Sequence, residues 1–296
     1  MQAARCLNRT CSTCEILRMQ NQRQNLAGRI ALVTGAGRGM GGAIAIDLAR
    51  AGAGVAICDI DMPALEATRA AVEAAGAQCL ALRCDVSSSS EVARLFAAIV
   101  QRFGTLHILV NNAARVPNTP LDTMRRNQHY AYITTPVPRQ SLGFTSTISD
   151  EEWHRYWDVN VHGLFYCTRE ALRLMEPQRD GRIINIASIA GMSAMSAHSP
   201  HYCATKGAVI AFTKSVAAEV AGANIFVNAM APGGVATPEF TQYFKAAGEE
   251  KCNQFWQLIP AGRLGTMEEY ASTVTWLAGD HYLVGQLISP NGGIVI

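Results

Sequence analysis

Short apolar runs alternate along the chain with longer stretches in which apolar positions return every three or four residues. Runs at 30–34, 55–58, 78–83, 106–110, 182–187 and 224–230 predict buried strands. Helix-period segments at 39–51, 62–75, 89–103, 150–176 and 201–221 predict the helices between and after them. Parallel strands need a crossover of a dozen or more residues, which a helix supplies. The alternation therefore predicts βαβ units with right-handed crossovers, that is, an α/β fold with a doubly wound parallel sheet. No internal repeat or linker divides the pattern, so one domain is expected over residues 26–296. Residues 1–25 lie outside it and are polar, without the apolar stretch of a secretory signal. A disordered leader is expected there, or residues upstream of a start at Met19.

Composition narrows the partners. Of 296 residues, 49% are hydrophobic and only 16% charged, which suits a sheet covered by helices on both faces. A net charge of +2 provides no basic field for nucleic acid. The apolar runs stop short of the ~20 residues that span a bilayer. A soluble cytoplasmic protein with no nucleic-acid or membrane partner is expected. Among the nine cysteines, Cys58, Cys79, Cys84 and Cys167 sit in apolar surroundings as small hydrophobes. Cys6, Cys11 and Cys14 would leave a tetrahedral zinc one ligand short, so no metal is expected.

The first strand runs into Thr34-Gly35-Ala36-Gly37-Arg38-Gly39-Met40-Gly41, and a helix opens there. Glycines let the backbone turn sharply and approach a pyrophosphate, and the helix N-terminus supplies unpaired N–H groups. Asp59 and Ile60 end the second strand. A carboxylate there accepts hydrogen bonds from the adenosine ribose and repels a 2′-phosphate, which favours NAD. Arg38 points the other way, because a guanidinium pairs with a 2′-phosphate. Asp59 outweighs it, since a carboxylate facing a phosphate costs more than an idle surface arginine gains. Further along, Tyr202 and Lys206 are four residues apart on a predicted helix and share one face, with Ser188 upstream. A cation beside a phenol favours the phenolate and should lower its pKa from about 10. Such a tyrosine exchanges a proton with an alcohol or carbonyl oxygen.

Thr34-Gly-x-x-x-Gly-x-Gly41, Asn111-Asn-Ala-Ala114, Ser188, Tyr202-x-x-x-Lys206 and Pro232-Gly233 together resemble the short-chain dehydrogenase/reductase family. The 3-oxoacyl-carrier-protein reductase and alcohol dehydrogenase branches are the nearest in character. The resemblance covers about residues 26–296 and implies a Rossmann-type sheet of seven strands with NAD(P)-dependent redox chemistry at alcohols or ketones. It implies Tyr202 as acid and base, with Lys206 tuning it and holding the nicotinamide ribose. Ser188 would hold the substrate oxygen, and Asn160 would hold a relay water. It further implies that Asp85 and Val86 contact adenine and that Asn112, Ala113 and Ala114 lie beneath the ribose. Pro232, Gly233, Val235 and Thr237 would hold the carboxamide. Homotetramers or homodimers are common in the family, packed through helices 150–176 and 201–221. Two positions depart from its pattern. Ala114 replaces the usual glycine, and Asn291 the usual aspartate, where a subunit contact could change.

The largest departure is an insertion at about 116–148. Its prolines and mixed polarity argue against a regular helix. It is expected to be a loop over the substrate mouth or a subunit interface, or else a disordered surface loop. Met192 and Met195 follow Ser188, and Phe240, Tyr243, Phe244, Phe255 and Trp256 occupy the family's lid region. They imply a bulky apolar, cyclic or aromatic alcohol or ketone as substrate. An NADP-linked 3-oxoacyl thioester reductase and a non-catalytic NAD sensor are the alternatives.

Overall fold

In a computed structural model, residues 25–237, 240–242 and 248–296 are described. Residues 1–24 of the proposed leader with their cysteines, Tyr243 and Phe244 lie outside the described residues. Seven parallel strands, β1 (Ile30–Thr34), β2 (Gly54–Asp59), β3 (Cys79–Arg83), β4 (Ile108–Asn111), β5 (Gly181–Ile186), β6 (Ile225–Met230) and β7 (Leu287–Ile288), form one sheet. Their order is β3-β2-β1-β4-β5-β6-β7. The order reverses between β1 and β4, and ligands of such sheets bind in the crevice beyond the strand ends at that point.

Side chains alternate across the sheet and every central strand is covered on both faces, which is why the strands read as apolar runs. Ala31, Val33, Val55 and Ile57 face a core beneath α1 (Gly39–Arg50), α2 (Met62–Ala74) and, later in the chain, Met267–Leu277. Leu32, Ala56, Leu109 and Ile183 face the other core, under α3 (Ser89–Phe103) and two further helices. Ser88 caps α3 by accepting from the Glu91 N–H, and Gly104 ends that helix in the left-handed region at φ 80°. No described helix is long and apolar enough to cross a membrane.

Two expectations change. Part of the insertion is a regular helix, α4 (Pro120–Thr134). Pro120 stands in the first turn, where the missing N–H costs nothing. Thr119 and Asp122 form a reciprocal capping box just ahead of it. The prolines thus bracket a helix and do not prevent one. The predicted helix 150–176 is broken into α5 (Asp150–Trp157), a π-helical turn (Asp158–Gly163) and α6 (Leu164–Gln178). Such a turn often marks a functional position, and Asn160 lies within it. The chain continues through α7 (Pro200–Val220), α8 (Glu249–Trp256) and α9 (Met267–Leu277).

Candidate active site

The glycine turn leaves β1 with Gly35 at φ 64° and Gly39 at φ 60°, conformations that L side chains rarely adopt. A Cβ at Gly35 would come within 2.7 Å of the Ala113 Cα, and one at Gly41 within 2.2 Å of the Gly35 carbonyl oxygen. The turn is held from β4. Asn112 donates from its amide to the carbonyls of Thr34 (2.9 Å) and Gly35 (3.0 Å). The Thr34 hydroxyl accepts from the N–H groups of Asn112 and Ala113. Asn112 and Ala113 are therefore structural clamps on the turn. Arg38, the residue before α1, gives no side-chain cap, so the helix leaves its first N–H groups facing the crevice.

Asp59 lies below this turn. Its Oδ2 accepts from the Gly37 N–H at 2.9 Å and its Oδ1 from the Asp61 N–H at 3.0 Å. The exposed Arg38 guanidinium is 3.6 Å from Asp61, so its charge is partly matched there. Ile60 is exposed. Asp85 folds onto its own turn and accepts from the Ser87 N–H and hydroxyl. Val86 is buried beside Gly163 of the π turn, where a Cβ would stand 2.8 Å from its methyl carbon.

On the far side of the switch point, Ser188 follows β5 and Tyr202 stands in the first turn of α7. Ser188 lies close enough to the Tyr202 phenol to pull its pKa down, and the Ser188 hydroxyl accepts from the Ala190 N–H at 3.1 Å. Lys206, one turn on, is buried and donates to the Ile186 carbonyl at 2.7 Å. Its Nζ is 5.7 Å from the Tyr202 ring centre. Asn160 is buried and fully engaged. Its carbonyl accepts from the Arg115 N–H (2.7 Å), and its amide donates to the Arg115 carbonyl and the Thr205 hydroxyl. Thr205 in turn donates to the Tyr202 carbonyl, so Asn160 ties the π turn to the helix of Tyr202 and Lys206. Pro232 accepts from the Ile189 N–H, Gly233 rests against Asn291, and Val235 bridges to Gly265. The Thr237 hydroxyl accepts from the Phe240 N–H at 3.2 Å.

A family model for short chain dehydrogenase matches residues 29–248. The chain belongs to the short-chain dehydrogenases. It is 35% identical to a 3-oxoacyl-[acyl-carrier-protein] reductase of Synechocystis, over 92% of this chain and 98% of that one. It is 34% identical to a short-chain reductase of Streptomyces niveus, over 89% and 93% of the two chains. Among solved structures, levodione reductase is similar with a TM-score of 0.77 and 28% identity, covering 90% of this chain and 97% of that one. A putative short-chain alcohol dehydrogenase of Sinorhizobium meliloti is similar with a TM-score of 0.78 and 30% identity, covering 91% and 97%. The protein is thus a short-chain dehydrogenase oxidoreductase.

One sequence expectation about this dehydrogenase is overturned. The net shift of the Tyr202 phenol is upward, not the lowering expected from a cation beside it. Burial pushes the phenol up to about 12, with Ser188 pulling the other way. Burial also pushes Lys206 down to about 8. The reason is geometric: the ammonium is committed to the Ile186 carbonyl and not to the phenol oxygen. Asn291 is also not at a free surface. Its amide donates to the Ser289 carbonyl and hydroxyl and to the Val295 carbonyl, bonds that an aspartate could not make.

The sequence reading missed a polar cluster beside Tyr202. The buried face of α4 presents Asp122, Arg125 and His129, spaced i, i+3 and i+7. Arg125 pairs with Glu152 of α5 at 2.7 Å. His129 lies 3.4 Å from the buried His198, which burial pushes down to about 3. Tyr156 packs edge-on against His201, ring centres 4.1 Å apart, and lies 6.4 Å from the Tyr202 ring. Tyr130 of α4 touches Phe255 of α8 at 5.6 Å, and Phe255 touches Phe240 and Trp256. The signal was present as a helical period, carried by polar and charged residues where apolar ones are normally sought. Met192 is exposed and Met195 half-buried on the short turns after Ser188.

Proposed function

We propose that this short-chain dehydrogenase transfers a hydride between NAD and the carbinol carbon of a secondary alcohol or ketone, with Tyr202 exchanging the proton. The observation that carries the reading is Tyr202 beside Ser188 and buried Lys206, across the switch point from a turn in which a Cβ at Gly35 or Gly41 would strike the backbone. NAD supplies the hydride acceptor or donor. The glycine turn, Asp59, Asn112 and the Pro232–Thr237 loop would hold it. Ser188 fixes the substrate oxygen at the phenol. Tyr202, neutral at pH 7, is set to give its proton in reduction, and the Lys206 cation stabilises the phenolate that remains. Reduction should slow as pH rises through about 8, where Lys206 loses its charge. A kcat/KM profile in the reductive direction checks this, and one that stays flat to about pH 10 would remove Lys206 from the role.

NAD is favoured over NADP by Asp59, whose carboxylate is pinned beneath the turn at the ribose position, while Arg38 faces Asp61. Asp59→Asn keeps the shape and an acceptor for the Gly37 N–H but loses the charge. It is expected to lower kcat/KM with NADH roughly 10- to 100-fold, the worth of charge-assisted hydrogen bonds, and to raise that with NADPH. A wild-type enzyme that already prefers NADPH would instead support the second reading. That reading is an NADP-linked 3-oxoacyl thioester reductase, and its substrate class is favoured by the similarity to the 3-oxoacyl-[acyl-carrier-protein] reductase of Synechocystis.

The substrate we favour is bulky and apolar, cyclic or aromatic. Phe240, Phe255 and Trp256 supply an aromatic lid, and Tyr130 of the insertion touches it. Met192 and Met195 add adaptable apolar surface. A cytoplasmic homotetramer or homodimer is part of the proposal. The oligomer is supported by Phe165, exposed on α6 and 6.4 Å from Phe212 of α7.

A further inference from the structure

The cluster between the insertion and the helix of Tyr202 is built unlike an ordinary polar lock. Asp122, Glu152 and His201 come from three separate helices, α4, α5 and α7. Each offers a ligand atom, and these atoms all lie within 4.8 Å of one another. His201 is 0% exposed and Asp122 2%. Both ring nitrogens of His201 and the Oδ1 of Asp122 find no hydrogen-bond partner. The other Asp122 oxygen is consumed by the Thr119 N–H and hydroxyl, which fixes the carboxylate with Oδ1 left over. His201 Nε2 is 3.6 Å from the Glu152 Oε1.

Buried imidazole nitrogens and a buried carboxylate oxygen without partners cost free energy, and native proteins rarely leave three of them together. Arg125 answers part of the demand by donating to the Glu152 Oε1. Arg125 answers Glu152 only, so the Asp122 Oδ1 and the His201 ring nitrogens remain without a hydrogen-bond partner. A divalent cation would take up the Asp122 Oδ1 and one ring nitrogen of His201, leaving the other as an N–H. We propose that Asp122, Glu152 and His201 bind a zinc-class divalent ion that fastens the insertion to α5 and to the first turn of α7.

One imidazole with two carboxylates suits Zn2+, Co2+ or Mn2+, whereas Ca2+ and Mg2+ seek cages of oxygen ligands. Two nitrogen or oxygen ligands of one tetrahedral zinc-class ion stand roughly 3.3–3.5 Å apart, so ligand atoms that lie within 4.8 Å of one another would draw together by up to about 1.4 Å on binding. Three protein ligands leave a position for water. His201 immediately precedes Tyr202, and Tyr156 packs on the His201 ring while lying near that of Tyr202. The ion would therefore be a positioning element for the substrate side of the site, acting through His201 and Tyr156.

The test uses the full chain stripped with chelator, titrated calorimetrically with Zn2+ and Co2+, with Mg2+ and Ca2+ as comparison ions. One cation per chain is expected, with a raised unfolding temperature. The Co2+ complex should show visible ligand-field bands without the charge-transfer band of thiolate ligation, which separates this site from the chain's cysteines. Asp122→Asn and His201→Gln should each weaken Zn2+ binding at least tenfold, while His162→Gln, at an exposed Asp–His pair, should leave it unchanged. The wild-type spectrum and stoichiometry decide the matter even if a ligand variant does not fold. The proposal is overturned by binding weaker than about 100 µM for every ion, by a thiolate band, or by affinity that survives in both ligand variants. No binding at all would assign the unpartnered atoms to trapped water.

Discussion

Tyr202→Phe is expected to lower kcat by about 10²- to 10⁴-fold, the usual worth of a positioned general acid or base. Phenylalanine keeps the ring and its edge contact with Tyr156 and removes only the hydroxyl beside Ser188. NAD affinity should therefore change little, and the unfolding temperature should fall by no more than the loss of one hydrogen bond. Steady-state kinetics with a responsive alcohol or ketone, alongside a fluorescence titration of NADH, separates the two effects. A variant that keeps full turnover would refute the proton-transfer role. Retention of the protein's biological effect by an inactive Tyr202→Phe variant would point to the NAD-sensor reading.

Gly41→Ala should have the largest effect on the nucleotide site. Its Cβ would lie 2.2 Å from the Gly35 carbonyl oxygen and 2.4 Å from the Asn112 amide nitrogen. One neighbour is backbone, and the other is the clamp that holds the turn to β4, so neither yields without opening the turn. A loss of about 1–3 kcal/mol of stability is expected, the usual cost of overpacking. Dinucleotide affinity should fall at least tenfold, because the clash displaces backbone N–H groups that would cradle the pyrophosphate. Gly222→Ala is the control, since a Cβ there meets nothing within 4 Å. Calorimetric unfolding and NADH titration of both variants check the contrast. Equal behaviour of the two would mean that the turn relaxes freely.

Much of the fold was readable because buried parallel strands appear as unbroken apolar runs. The six strands predicted from those runs lie within two residues of β1 to β6. The two-residue β7 carries no such run and was implied only by family resemblance. The π turn at Asp158–Gly163 was also invisible to periodicity. A single wide turn shifts the helical phase too little to show in a pattern, and it is stabilised by contacts remote in sequence, such as Asn160 with Arg115. The helix in the insertion is hidden from the sequence pattern because proline breaks a helix in its interior but starts one at the first turn, where Pro120 stands.

By itself the sequence determined the alternation of strands and helices, the glycine turn, the order Ser188, Tyr202, Lys206, and hence the family. These depend on local properties: side-chain period, permitted φ, and the spacing of residues on one helix. Only the tertiary structure decided that Lys206 turns to the Ile186 carbonyl, that the Tyr202 phenol is held near 12, and that Asp122, Glu152 and His201 converge. Those outcomes depend on desolvation and on competition among partners far apart in the chain. Neither quantity exists until the helices have packed.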